Sequence, residues 1–276
     1  MQADAPPVST LPLQGLTLVV TRPAVQAKRT TIALREGGAT VVEFPVLDIS
    51  PIETFLAVKD LATASAFIFV SANAVEYGVP TVRRTGEFSA KAEIFAVGRA
   101  TTTALNVAGF PVVVSPQQSI DSEGLLALPQ LRTVMGRHII LVKGQSELGG
   151  RRLLEQTLTA RGAQVTTLEC YRRAPLMPDL AMREALRKLL AAGHVHACFA
   201  MSVETLESLM NVFSTMNISP QSKIALLVPH ARVAKAAHAC GFDRVEEVPM
   251  ADSALIARLA ALKPGLLSPT APSPTR

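Results

Sequence analysis

Ten strand candidates, most of them short apolar runs that do not alternate with polar residues, limit this chain more than any other feature of its sequence. They fall at 16–21 (LTLVVT), 40–44, 66–70, 94–97, 111–114, 138–142, 164–168, 196–200, 224–228 and 244–248. Amphipathic, helix-like stretches separate them at 24–36, 101–108, 122–128, 151–161, 179–192, 203–212, 231–239 and 253–262, and another begins beyond Ser71. A strand with one wet face alternates; a strand apolar throughout must be covered on both faces, and the crossover helices of parallel sheets do that. The fold class is therefore α/β. Nearly half of the residues are hydrophobic (49%), which supplies cores for several layers. Only the Pro-, Ser- and Thr-rich ends, residues 1–12 and 264–276, are expected to remain flexible tails.

A weak repeat underlies the alternation. One shift along the chain superposes Ser71 on Ser202, the triplet 96–98 (AVG) on 227–229 (LVP), and Asp121-Ser122 on Asp252-Ser253. A second correspondence links GLTLVVTRP (15–23) to GRHIILVKG (136–144), each followed by a helix pattern and then by GGATVV or RGAQVT. The repeat alone divides the chain into copies at roughly 16–135 and 136–263.

Several of these stations place a serine where a buried strand gives way to a helix: Ser71, Ser122, Ser202 and Ser253. Serine there is well placed as an N-cap, and capping can be its whole task. In parallel α/β sheets, however, ligands sit outside the carboxyl ends of the strands. Helix N-termini there offer unpaired N–H groups and the positive end of a dipole. Recurrence in both halves points to rims of donors for a ligand bearing several negative groups.

The net charge of +5 fits an anionic ligand, and the basic residues are scattered (TRPAVQAKR, VRRTGEF, GRRLLEQ) with no long run. With no Trp and two Tyr, aromatic platforms for nucleic acid are lacking. Cys170, Cys198 and Cys240 have no C-x-x-C spacing and read as buried thiols of a reducing compartment. His138, His194, His196, His230 and His238 show no metal-ligand spacing; His194 and His196 read as structural. Gly98 in VGRATTTALNVAG is too isolated for a dinucleotide fingerprint, and there is no P-loop or G-x-S-x-G elbow. MQADAPPVSTLP carries neither a basic n-region nor an apolar h-segment, so a cytoplasmic protein away from membranes is expected.

Six segments in order, LVVTRP, FVSANAV, AVGRATTTAL, DSEGLL, GGRRLLEQTLTARGAQV with ECYRRAP, and VPHARVAKAA, resemble the uroporphyrinogen-III synthase family over about residues 15–262, in its proteobacterial form. Such enzymes close linear hydroxymethylbilane, which carries eight carboxylates, to uroporphyrinogen III with inversion of ring D. The resemblance implies no cofactor, a small-molecule substrate, no nucleic acid and no membrane. It is also compatible with a monomer that receives substrate from the upstream bilane-forming enzyme. It implies two similar domains, each a parallel sheet flanked by helices, joined by a two-stranded antiparallel connection. The domains would be 13–44 with 175–263, and 50–167, with crossings at 44–50 (FPVLDIS) and 168–175 (LECYRRAP) and the substrate between them.

Residue by residue, the resemblance makes Tyr171 the candidate proton donor, with packing at the hinge as the other reading. Ser71, Asn73, Thr101 and Ser202 fall on substrate-binding positions, and Gly98, Ser122 and Gly144 at strand ends are grouped with them. Arg22, Lys143, Arg151 and Arg232 are candidate carboxylate partners, each equally readable as a surface charge. Where the family's second half commonly has Gly-Pro-Thr, this chain has Val228-Pro229-His230, so either His230 replaces the hydroxyl contact or that contact is lost. The alternative function is a catalytically inactive tetrapyrrole-binding or sensing module, which would lack the tyrosine. A periplasmic-type two-domain binding protein would need an export signal.

Overall fold

The computed structural model describes residues 11–117, 121–146, 152–219, 221 and 223–268. The chain divides into two compact units, one running to Asp48 and resuming at Pro175, the other spanning Ile49–Ala174.

The first unit holds β1 (Thr17–Val20), α1 (Ala24–Glu36) and β2 (Thr40–Glu43) from the start of the chain. From its end come α8 (Leu180–Ala191), β8 (Ala197–Phe199), α9 (Val203–Thr215), β9 (Ala225–Val228), α10 (Ala231–Ala239), β10 (Val245–Glu247) and α11 (Asp252–Leu267). The strands form one parallel sheet in the order β10-β9-β8-β1-β2. Its inner strands β1, β8 and β9 are largely apolar because successive residues serve different cores. Val19, Cys198, Leu226 and Val228 pack under α8, α9 and α10, while Leu18, Val20, Ala197, Phe199 and Leu227 pack under α1 and α11. His196 is structural: its Nδ1 accepts the Thr17 N–H at 2.9 Å, pinning the approach to β8 against β1. Burial holds its imidazole below the ordinary value, and the charge of His194 adds to this.

The second unit contains β3 (Leu47–Pro51, which starts just before it), α2 (Val58–Thr63), β4 (Ala66–Phe69), α3 (Ala72–Thr85), β5 (Glu93–Ala96) and α4 (Arg99–Val107). Next come α5 (Ser122–Leu126), α6 (Pro129–Arg132), β6 (His138–Ser146), α7 (Leu153–Ala160) and β7 (Gln164–Pro175). The sheet order is β3-β7-β6-β4-β5, with β7, β6, β4 and β5 mutually parallel. The two-core logic repeats: Phe67, Phe69, Ile140 and Val142 pack under α3 and α4, and Ala66, Ile68, Ile139 and Leu141 under α5, α6 and α7. The bonds Ile52 N–H to Cys170 O (3.1 Å) and Leu176 N–H to Val46 O (2.9 Å) run in opposite chain order, so β3 and β7 are antiparallel where the chain passes between units.

Three sequence expectations are corrected. The run at 111–114 forms only a bridge, Phe95 to Val114, because Pro111 has no N–H to give and Val112 is exposed. The helix expected to end at 262 continues to Leu267, through residues read as tail. Leu266 is buried there, and Arg244 donates to the Gly265 carbonyl at 2.6 Å, so tertiary contacts outweigh Pro264. Cys170 and Cys198 are buried as expected, but Cys240 is only half-buried.

Candidate functional site

Each sheet has one place where strand order reverses: between β1 and β8 in the first unit, and between β6 and β4 in the second. Crevices of this kind, outside the carboxyl ends of parallel strands, are where open α/β sheets take ligands. Ser202 follows β8 and Arg22 follows β1; Ser71 follows β4, and Lys143 and Gly144 lie on β6. The topology thus brings these positions to the two switch points.

Two of the expected serine caps form. Ser71 Oγ accepts the Ala74 N–H and Ser202 Oγ accepts the Thr205 N–H, both at 3.1 Å, on nearly identical extended backbone. Two do not. Asp121 caps α5 instead, its carboxylate accepting the Gly124 N–H at 2.7 Å, which makes Ser122 the first helical residue. Before α11 the cap is Ala251, leaving Ser253 inside the helix, and Asp252 turns its carboxylate to Arg29 at 2.5 Å. In both places an aspartate stands one residue ahead of the serine, and the helix starts earlier.

Tyr171 is the most constrained of the candidates. The β6–β7 register pairs Lys143 with Glu169 but Gly144 with Tyr171, so one extra residue, Cys170, is accommodated on β7. Such a slip re-aims the side chains beyond it. Cys170 and Tyr171, although consecutive, are both buried in the core under α3. The Tyr171 hydroxyl then lies 3.0 Å from Ser71 Oγ. Its ring centroid is 5.6 Å from that of Tyr77, and the Arg173 guanidinium lies 5.7 Å from the Tyr171 centroid. Gly144 is required here, because a Cβ at that position would meet the Tyr171 ring at 2.4 Å. Gly78 plays the same part for α3: a Cβ there would sit 2.3 Å from Val142 Cγ1, so the glycine lets the helix lie close on β6. Burial pushes the Cys170 thiol up to about 12, which makes it a packing group and not a nucleophile.

The other expected positions are distributed along the same carboxyl edges. Gly98 is the extended N-cap of α4 and Thr101 is buried in its first turn; Asn73 lies in the first turn of α3. Arg22 is half-buried; burial pulls its guanidinium below the ordinary value, opposed by nearby Asp252. Lys143 is engaged, its Nζ 3.5 Å from Glu169 Oε1 on the neighbouring strand. His230 is the N-cap of α10, with no side-chain capping bond, and both it and Arg232 are exposed. Arg151 lies outside the described residues. Among the described residues no group of His, Cys, Asp and Glu is placed to hold a metal, and no helix is long and apolar enough to cross a membrane.

Comparison with known proteins adds an independent line. Residues 28–256 match the family described as uroporphyrinogen-III synthase HemD. The chain belongs to the uroporphyrinogen-III synthase family. Uroporphyrinogen-III synthase from Salmonella typhimurium is 30% identical over 256 residues, 88% of this chain and 99% of that protein. The Escherichia coli enzyme of the same name is 29% identical over 255 residues, with the same coverage. In fold, the chain is similar to a mutant uroporphyrinogen III synthase of Thermus thermophilus (TM-score 0.58, 21% identity, 90% of this chain and 99% of that one). It is also similar to the Helicobacter pylori uroporphyrinogen-III synthetase (TM-score 0.56, 13% identity, 89% and 99%).

Within this synthase family member, sequence reasoning passed over the surroundings of Tyr171. Arg173 had a usable signal, since residues two apart on a strand share a face. Tyr77 had none: only the packing of α3 on β6 brings its ring to Tyr171. Glu169 and Asp252, which engage Lys143 and lie near Arg22, could not be paired with those cations before the sheets were known.

Proposed function

We propose that this chain is a hydro-lyase that cyclises hydroxymethylbilane to uroporphyrinogen III with inversion of ring D and loss of water. The observation that carries the mechanism is the buried Tyr171 hydroxyl at the carboxyl edge of its sheet, 3.0 Å from Ser71 Oγ. The terminal hydroxyl of the bilane leaves as the pyrrole nitrogen pushes electrons toward it, and Tyr171 gives the proton that makes it water. The substituted carbon of ring D attacks the methylene of the resulting azafulvene, and the spiro intermediate fragments and recloses with that ring inverted. The proton lost from substrate on rearomatisation balances the one given by the phenol. Closure at the unsubstituted position would yield the type I isomer, so the isomer formed depends on how the chain is held. Helix N-termini at the sheet edges, with Arg22 and Arg232, take the carboxylates. The enzyme acts as a monomer, needs no added cofactor, and accepts substrate released by a bilane-forming enzyme.

The test is incubation with freshly made hydroxymethylbilane followed by chromatographic separation of isomers. Type III product in excess of the spontaneous type I product is expected. Type I alone, at the uncatalysed rate, would sink the proposal and leave a binding module.

A further inference from the structure

We infer that Ser71 is a positioning residue for the Tyr171 phenol rather than a ligand for substrate carboxylate, an inference that rests on the reading of Tyr171 as proton donor. The geometry has two hydroxyls and one backbone donor in a row. The Ala74 N–H points at Ser71 Oγ at 3.1 Å, and Ser71 Oγ is 3.0 Å from the Tyr171 hydroxyl. A serine hydroxyl has one hydrogen and two acceptor sites; a phenol has one hydrogen and an acceptor oxygen. Capping α3 uses one of the serine's acceptor sites.

If Tyr171 donated to Ser71, the serine oxygen would accept twice, and its own hydrogen would have no partner among the bonds formed by the described residues. The phenol hydrogen would also be directed away from substrate. With Ser71 donating to Tyr171, each group is used once: N–H to Ser71 Oγ, Ser71 O–H to the phenol oxygen, and the phenol hydrogen left for an incoming hydroxyl. The same direction suits the moment after proton transfer. The phenolate oxygen then accepts a hydrogen bond already in place, and bonds of this charged type are shorter and stronger than neutral ones. The Ala74 N–H polarises the serine toward donation, so the start of α3 acts on the phenol through one side chain.

Three features fix this row. Gly78 sets α3 close on β6, the slip at Cys170 turns Tyr171 toward the α3 cap, and Gly144 makes room for its ring. Ser202, with the same cap and backbone, spends its hydroxyl on Thr205 Oγ1 at 2.9 Å within its own helix.

The experiment is steady-state kinetics on Ser71→Ala, Ser71→Thr and Ser71→Gly, alone and combined with Tyr171→Phe, in the full chain with hydroxymethylbilane as probe. Ser71→Ala is expected to lower kcat about 3- to 30-fold with KM within about twofold, the split that marks an interaction made in the transition state. Ser71→Thr, which keeps a hydroxyl, should recover to within about threefold of the parent. Ser71→Gly keeps a good helix cap without the hydroxyl, so it should match Ser71→Ala in kcat while unfolding close to the parent temperature. In the Tyr171→Phe background, loss of the serine hydroxyl should change kcat by less than about twofold, since its target is gone. Parent-like turnover of Tyr171→Phe overturns the donor reading and this inference together. A slow Tyr171→Phe enzyme in which Ser71→Ala acts additively, or acts through KM, overturns the inference alone.

Discussion

Ser71 and Ser202 occupy the same station in two units of similar design, yet they end in different surroundings. Both follow the strand at a reversal of sheet order, and both cap the next helix with a 3.1 Å bond. Beside Ser71, β7 runs on to Pro175, slips by one residue and brings Tyr171 to the cap. In the first unit the strand β2, which stands to β1 as β7 does to β6, stops at Glu43, and the next residue, Phe44, goes into the core. The serine hydroxyl there turns back to its own helix. The two units therefore share a serine-capped strand end, and a local irregularity in a neighbouring strand adds a phenol to one of them.

Removing the phenol hydroxyl is the most direct way to break this asymmetry. Tyr171→Phe should lower turnover by roughly ten- to a thousandfold, the cost of losing a general acid, while the product remains type III. Isomer analysis of the slow reaction checks both points; a shift to type I would make Tyr171 a substrate-positioning group.

Displacing the phenol without removing it comes next. Gly144→Ala forces a methyl into the Tyr171 ring, so either the ring or β6 must move. Turnover about 10- to 100-fold lower is expected, because misplacement by about 1 Å has costs of that order. Overpacking should also cost about 1–3 kcal/mol of stability, readable by urea titration. Parent-like kinetics would show that the ring has room that the structure does not display.

Binding groups on the first unit's edge should behave differently from the tyrosine. Arg22→Ala is expected to raise KM about five- to tenfold with little change in kcat, in line with the loss of one charged contact. The difference from the parent should narrow as salt rises. A fall in kcat at constant KM would place Arg22 with the reacting atoms.

The smallest effect belongs to the second serine. Ser202→Ala removes a cap worth about 1 kcal/mol in stability. Any loss of activity should lie in KM, without the coupling to Tyr171→Phe expected of Ser71→Ala; a matching kcat loss would erase the contrast between the two stations.

Much of this was legible beforehand, and for identifiable reasons. Unbroken apolar strands such as FIFV and ALLV require cover on both faces, because successive side chains enter opposite cores. That follows from period-two geometry alone, as does the parallel α/β class. Serine after such a strand and before a helix is a local signal, and it was right where no aspartate preceded it. Ser122 failed because Asp121 caps α5 one residue earlier, and Ser253 because α11 starts at Asp252, two residues before a Ser253 cap would start it.

What the sequence could not settle is where strand register slips and what a side chain meets across the sheet. Neither Glu169 nor Cys170 announces the slip that places Tyr171 and Cys170 in one core, since a bulge is a property of two paired strands and not of one. The engagement of Lys143 by Glu169, the proximity of Asp252 to Arg22, and the continuation of α11 past Pro264 likewise depend on partners far away in the chain. Local patterning determines which face of each element is apolar, and so the layers, the sheets and the edge where a ligand can sit. The bond between Ser71 and Tyr171 joins residues on a helix cap and a separate strand, and only the packing of α3 on β6 permitted by Gly78, with the room Gly144 leaves for the tyrosine ring, brings their oxygens to 3.0 Å.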